Sequence, residues 1–223
     1  MIYTEMEFIQ INRRVYFVMN VPYSELRARA RQSLEGNWGK SVLALIVYTI
    51  VAGLVGLLNF IPVIGYIVQI LTSGAFTLGL IIFFVGIARK EGPPISEVFS
   101  GFSHFIKAFC VYFMMGLFTL LWSLLLVIPG IIACYRYSQA YYILQDNPDI
   151  GALEAIRRSK ELMKGRKLNL FVLHLTFIGW ALLALLTFGI GYLWLTPYFQ
   201  VTQAHFYDEI TGRTVPAPHP DSF

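Results

Sequence analysis

The chain has 223 residues, of which 57% are hydrophobic and only 13% charged, with a formal net charge of +4. A mean hydropathy of +0.62 lies far outside the range of a soluble domain and indicates an integral membrane protein. Most of the residues are needed for the crossings themselves, which excludes a separate soluble catalytic domain of ordinary size.

In chain order, residues 1–23 form an N-terminal extension without the short apolar core and small-residue cleavage site of a removable signal peptide. A membrane domain is expected over 24–209 and a C-terminal tail over 210–223. Three lysines set its rhythm: Lys40, Lys107 and Lys167 each stand 22 residues before a turn residue, Pro62, Pro129 and Gly189 respectively. At about 1.5 Å per residue, that spacing rises roughly 33 Å, the thickness of bilayer hydrocarbon. The spans are expected at 41–58, 65–88, 108–128, 131–145, 168–188 and 192–207. The fold class is therefore all-α, a polytopic membrane bundle of six helices in three hairpins. Segment 131–145 is short and contains Arg136, so a partial crossing and a five-span bundle is the alternative.

Each hairpin follows a polar stretch with a helix-start signal: Pro22-Tyr23-Ser24-Glu25, Pro94-Ile95-Ser96-Glu97 and Asn147-Pro148-Asp149. Ile95, Val98, Phe99, Phe102, Phe105 and Ile106 fall at helical spacing, which fits an amphipathic helix lying in the interface. The repeated unit is then interfacial helix, crossing, tight turn, crossing. Pro197 is expected to kink the sixth crossing, and Gly53, Gly56, Gly74 and Gly79 offer small surfaces for close helix packing.

Charge fixes the orientation. Of 17 Lys and Arg, only Arg136 lies away from the end opposite the turns, and the turns themselves carry no charge. The positive-inside rule makes the charged end cytoplasmic, with both termini. Trp38, Lys40, Lys107, Arg166 and Lys167 are the expected interface residues, while Trp122, Trp180 and Trp194 lie near the uncharged turns. The basic groups Arg27, Arg29, Arg31 and Arg157 to Lys167 are read as topology and anionic-headgroup contacts, not as a nucleic-acid surface.

Few residues invite chemistry. Arg136 is costly in hydrocarbon unless paired or able to reach the interface, and Gln139 follows one turn later. It serves either as a structural or lipid-phosphate anchor or as part of a conduction path with Gln139, His174 and Gln69. His174 is read as hydrogen-bonded to a neighbouring helix, with a proton relay as the alternative. Cys110 and Cys134 stand near opposite leaflets, too far apart for a bridge. His205 and Glu209 are one turn apart but lack a third ligand, so no metal site is expected. No P-loop, nucleophile elbow, dinucleotide fingerprint or paired intramembrane carboxylates occurs, and neither a cofactor nor an enzyme activity is expected.

Taken together, Leu34-Glu35-Gly36-Asn37-Trp38-Gly39-Lys40, Leu121-Trp122-Ser123-Leu124-Leu125 before Ile128-Pro129-Gly130, Tyr135-Arg136-Tyr137-Ser138, Asp146-Asn147-Pro148, Ser159 to Gly165 and Phe177-Ile178-Gly179-Trp180 resemble a bacterial integral-membrane family. That family is catalogued as domain of unknown function nine-seven-five. The resemblance covers Ser24 to Tyr207 and implies a multi-pass protein of the inner membrane, with no reaction, ligand or catalytic residue attached. Met1 to Val18 lie outside it, so a start at Met19 is conceivable. The expectation is a non-enzymatic protein that binds membrane lipids or a partner membrane protein in the cell envelope. A small transporter or channel through Arg136 is the alternative.

Overall fold

The computed structural model describes residues 21–213 apart from residue 62. Most of the expected N-terminal extension, the end of the tail and the Pro62 turn residue lie outside the described residues. The architecture is all-α. Helix α1 (Tyr23–Leu34) precedes α2 (Trp38–Leu57), which runs through a 3-10 turn, Leu58–Phe60, into the first reversal. The chain returns as α3 (Ile64–Ala88). A 3-10 segment, Ile95–His104, continues directly into α4 (Phe105–Leu125), and the return is made by α5 (Val127–Tyr137) and α6 (Ala140–Asp146). Then come α7 (Ala152–Leu162), α8 (Lys167–Leu186) and α9 (Tyr192–Thr211).

Among the described residues, four helical stretches are long and apolar enough to cross a membrane: Trp38–Phe60, Ile64–Ala88, Ile95–Leu124 and Lys167–Leu186. Their most apolar windows have mean hydropathies of 1.8 to 2.5. Helix α3 is the centre of the bundle, because 67% of its window is buried against 11% to 22% for the other three. Its buried face, Gly74 to Ala88, packs against the 3-10 segment, α4, α6 and α9.

Side-chain packing is concentrated at the charged end. Leu26 and Leu34 of α1, Phe83, Phe84 and Ile87 of α3, Tyr142 to Leu144 of α6 and Val201 to Ile210 of α9 form one buried cluster. At the opposite end the tips are bare and apolar, with Phe60, Leu124 and Phe188 largely or fully exposed. Their backbone groups are nevertheless used. Ile61 N–H donates to Leu58 O at 2.9 Å, Ile190 N–H to Thr187 O at 3.1 Å, and Gly191 N–H to the Thr187 hydroxyl at 2.9 Å. Internally bonded turns with apolar side chains suit hydrocarbon, where an unpaired peptide group has no water to turn to.

Three expectations need correction. The expected span 131–145 is not one helix: it breaks at Ser138 and Gln139, and α5 alone rises only about 16 Å. The reversal before it is made by Leu126, with φ −166° and ψ 149°, not by Pro129, which sits inside the first turn of α5 where its missing N–H has no helical partner to lose. The stretch before the second hairpin is a 3-10 segment fused to α4, and the one before the third begins at Ala152 with Gly151 as its cap, past the Asn147-Pro148-Asp149 signal.

The break at residues 138–139 is repaired from α7. The Ser159 hydroxyl, fully buried, donates to Arg136 O at 3.0 Å and accepts from Gln139 N–H at 3.2 Å. One side chain thus satisfies a carbonyl before the interruption and an N–H within it. Ser159→Ala is expected to lower stability by about 1 to 3 kcal/mol, the cost of leaving buried polar groups unpaired. Urea or mixed-micelle unfolding of the detergent-solubilised chain measures it.

Candidate functional site

Arg89, Asp146 and Asp208 stand at or near the ends of the second limbs of the three hairpins, and these three side chains meet. Arg89 Nη1 donates to Asp146 Oδ1 at 2.8 Å, and Arg89 Nη2 donates to Asp208 Oδ1 at 2.7 Å. Both carboxylates are almost completely buried, at 2% and 5% side-chain exposure, and Arg89 is at 17%. Arg213 closes the group by pairing with Asp146 Oδ2 at 2.6 Å, and the Tyr207 hydroxyl donates to the same oxygen at 2.8 Å. The planar fork of a guanidinium can serve two carboxylates at once, which an ammonium cannot do with the same geometry.

Local backbone structure aims these groups. Helix α9 ends with Gly212 at φ 75°. Arg213 N–H then reaches back to Asp208 O at 2.8 Å, and this left-handed cap folds Arg213 over the site. Helix α3 ends similarly, with Lys90 at φ 59° and Glu91 N–H bonded to Gly86 O at 2.9 Å, leaving Arg89 at the rim.

The charges are tuned by this arrangement. Desolvation pulls the Arg89 guanidinium down, but its hydrogen bonds and attraction to Asp208 and Asp146 outweigh that and raise it. Burial pushes the Asp146 carboxyl up, yet hydrogen bonds from Arg89 and Tyr207, with the charges of Arg89 and Arg213, hold it below the usual carboxylate range. At Asp208 burial prevails and the carboxyl sits above that range.

Adjacent polar contacts lock α1 to the same end. Arg29 pairs with Glu25 at 2.5 Å and with Glu209 at 3.2 Å, and Ser33 Oγ donates to Ala88 O at 3.2 Å while standing 3.0 Å from His205 Nε2. His205 and Glu209 thus bind protein partners. Among the described residues no group of three or more His, Cys, Asp or Glu side chains is arranged to hold a metal ion.

The residues singled out from sequence each bond to a different partner. Arg136 lies over Trp122, its Cζ 5.8 Å from the ring centroid, and no carboxylate pairs with it among the described residues. Gln139 is buried and donates to the Ser138 hydroxyl at 3.0 Å. Gln69 accepts from Asn59 at 2.9 Å, beside the first turn. His174 joins neighbouring helices, as expected: its Nδ1 is 3.2 Å from the Tyr135 hydroxyl and its Nε2 is 2.8 Å from Gln203 Nε2. Tyr142 donates to Gln203 Oε1 at 3.2 Å, so Gln203 presents its amide N–H to His174 Nε2 and leaves the imidazole Nδ1–H to face Tyr135. Cys110 and Cys134 are free thiols.

Lys40 and Lys107 each bond to the loop that follows their own hairpin. Lys40 Nζ donates to Gly92 O at 3.1 Å, and Lys107 Nζ donates to Pro148 O. Each ties the first limb of its hairpin to the loop beyond the second limb. Arg166 donates to Leu162 O at 3.0 Å just ahead of Lys167, which opens α8.

Among the described residues, two grooves open on the surface of the bundle. One, of about 790 Å³, lies between α3, α4, α5 and α6 and is lined almost wholly by apolar and hydroxyl side chains, including Thr77, Tyr112, Gly116 and Ser123. The other, of about 350 Å³, is formed by α1, α2, α8 and α9 and contains Arg31, Trp38, Trp180 and Trp194.

A helical bundle with four apolar helices of membrane-crossing length among the described residues, bare apolar tips and ionic groups gathered at one end has the length and composition of the multi-pass membrane class. Within that class, the chain matches the family described as Protein of unknown function (DUF975) over residues 19–129 and 124–214, and it belongs to that family. No curated protein and no solved structure matches it.

Proposed function

We propose that this chain is a non-enzymatic protein of a bacterial inner membrane that gathers anionic lipids along its charged, cytoplasmic end. In this reading its three hairpins all enter the bilayer, with both termini inside. Six limbs cross, the fourth being the broken return of α5 and α6 and the sixth being α9.

The observation that carries the reading is the distribution of free charge. Among the described residues the turns at one end carry no charge and expose Phe60, Leu126 and Phe188, whereas α7 and the loop after it present exposed Lys160 and Lys164 with no carboxylate partner among the described residues. Arg157 and Arg158, by contrast, are already engaged by Glu154. Unpaired cations at a membrane surface attract anionic headgroups by about 1 kcal/mol each. The buried clamp at Arg89 gives the three hairpins one fixed geometry from which to do so. A small transporter or channel through Arg136, Gln139, Gln69 and His174 finds less support, because these side chains bond to separate partners.

The test is extraction of the full chain into detergent-free discs, followed by mass spectrometry of the retained lipid. Anionic phospholipid is expected to be enriched over its share of the membrane, and a Lys160→Gln, Lys164→Gln variant is expected to retain less. Retention in simple proportion to bulk composition would overturn the proposal.

A further inference from the structure

We infer that the 350 Å³ groove binds one anionic phospholipid, its phosphate held by Arg31 and Arg27 and an acyl chain laid along Trp38, Trp180 and Trp194; this deepens the lipid-binding reading by assigning it a specific site. Arg31 is the one charged side chain among those lining the groove. It is exposed, yet it is positioned: its Nη1 donates to the Tyr198 hydroxyl at 3.1 Å and its Cζ lies 6.0 Å from the centroid of that ring. The remaining guanidinium donors have no protein acceptor among the described residues. Arg27 precedes it by one helical turn on the same face, and the buried Arg27 Nε also lacks an acceptor.

The contrast with Arg29 carries the argument. Arg29, on a different face of α1, is matched by Glu25 and Glu209, so this helix pairs its cations where it packs against protein. Arg27 and Arg31 form a like-charged pair one turn apart, an arrangement that repels unless an anion lies between them. A phosphate diester has the charge and the oxygen geometry to accept from two guanidinium forks.

The rest of the groove is built for a chain and not for a soluble anion. Indole rings from α2, α8 and α9 converge on it, with Leu195 beneath them. Tryptophan offers a large apolar body together with a polar N–H edge, the combination found at the boundary between headgroups and hydrocarbon. Arg31 and Trp38 come from the charged end of the bundle, whereas Trp180 and Trp194 flank the turn between α8 and α9. A lipid of the cytoplasmic leaflet would enter headgroup first at Arg31 and extend towards that turn.

Three of the four tryptophans of the chain line the groove, so intrinsic fluorescence reads its occupancy directly. The full chain is placed in phosphatidylcholine discs containing a small fraction of phosphatidylglycerol with brominated chains, or the same fraction of brominated phosphatidylcholine. The brominated phosphatidylglycerol is expected to quench more strongly, and that difference is expected to be lost in Arg31→Gln and reduced in Arg27→Gln. Inorganic phosphate at matched ionic strength is expected not to relieve the quenching. Equal quenching by the two brominated lipids overturns the site, as does an unchanged preference in a folded Arg31→Gln chain. Relief by phosphate also overturns it, since the occupant would then be a small anion. If mass spectrometry still finds anionic lipid enriched while the quenching preference is absent, the groove fails and the broader reading stands; if neither is seen, both fail.

Discussion

Arg89→Met is expected to destabilise the folded bundle by about 3 to 5 kcal/mol, because it leaves two buried carboxylates without their shared cation. Asp146 and Asp208 have almost no access to water, and the Arg213 side chain, itself half exposed, is ion-paired with Asp146. Arg89→Lys is expected to recover only part of the loss, since one ammonium cannot reproduce the contacts of Nη1 with Asp146 and of Nη2 and Nε with Asp208. The full replacement, Arg89→Met with Asp146→Leu and Asp208→Leu, is expected to regain most of the stability, because an apolar cluster of similar volume carries no desolvation cost. Unfolding of each variant in mixed micelles, analysed as a mutant cycle, measures the coupling. If Arg89→Met unfolds like the parent chain, the clamp does not hold the hairpins together.

The clamp also shows what a single sequence can and cannot reveal. Arg89, Asp146 and Asp208 are visible as polar residues that close the second limb of each hairpin, and their signs are complementary. Nothing local says that they touch: Arg89 is 57 residues from Asp146 and 119 from Asp208. The lysine period is likewise legible as a repeat, but its physical meaning appears only when Lys40 reaches Gly92 O and Lys107 reaches Pro148 O. Length and hydropathy were sufficient for the four apolar helices because those properties are summed along the chain. They misjudged 131–145, where a hydroxyl from α7 makes a helix break affordable. Arg136 stands out because charge in an apolar run is conspicuous, whereas Arg27, Arg29 and Arg31 read alike in the sequence as headgroup contacts, and only the pairing of Arg29 with Glu25 and Glu209 sets Arg31 and its groove apart.

Gly79→Val is expected to be the most damaging of the glycine substitutions. A Cβ at Gly79 would stand 1.9 Å from Val98 O and 2.7 Å from its carbonyl carbon, and a Cβ at Gly101 would stand 2.0 Å from Ala75 O and 2.7 Å from Gly79 N. The two glycines face each other where the 3-10 segment crosses α3, backbone against backbone, so no flexible side chain can move aside. Relief requires separating the two elements along the most buried helix of the bundle, and a loss at or beyond the upper end of about 1 to 3 kcal/mol is expected. Gly53 and Gly56 carry the same small-residue signal in sequence but have no atom within 4 Å of a built Cβ, apart from their own helix and chain neighbours. Gly53→Ala is therefore expected to be neutral or to stabilise by up to about 1 kcal/mol through helix propensity. Thermal unfolding of both variants in the same detergent separates the cases. A Gly79→Val chain as stable as Gly53→Ala would mean that α3 and the 3-10 segment do not cross at this distance.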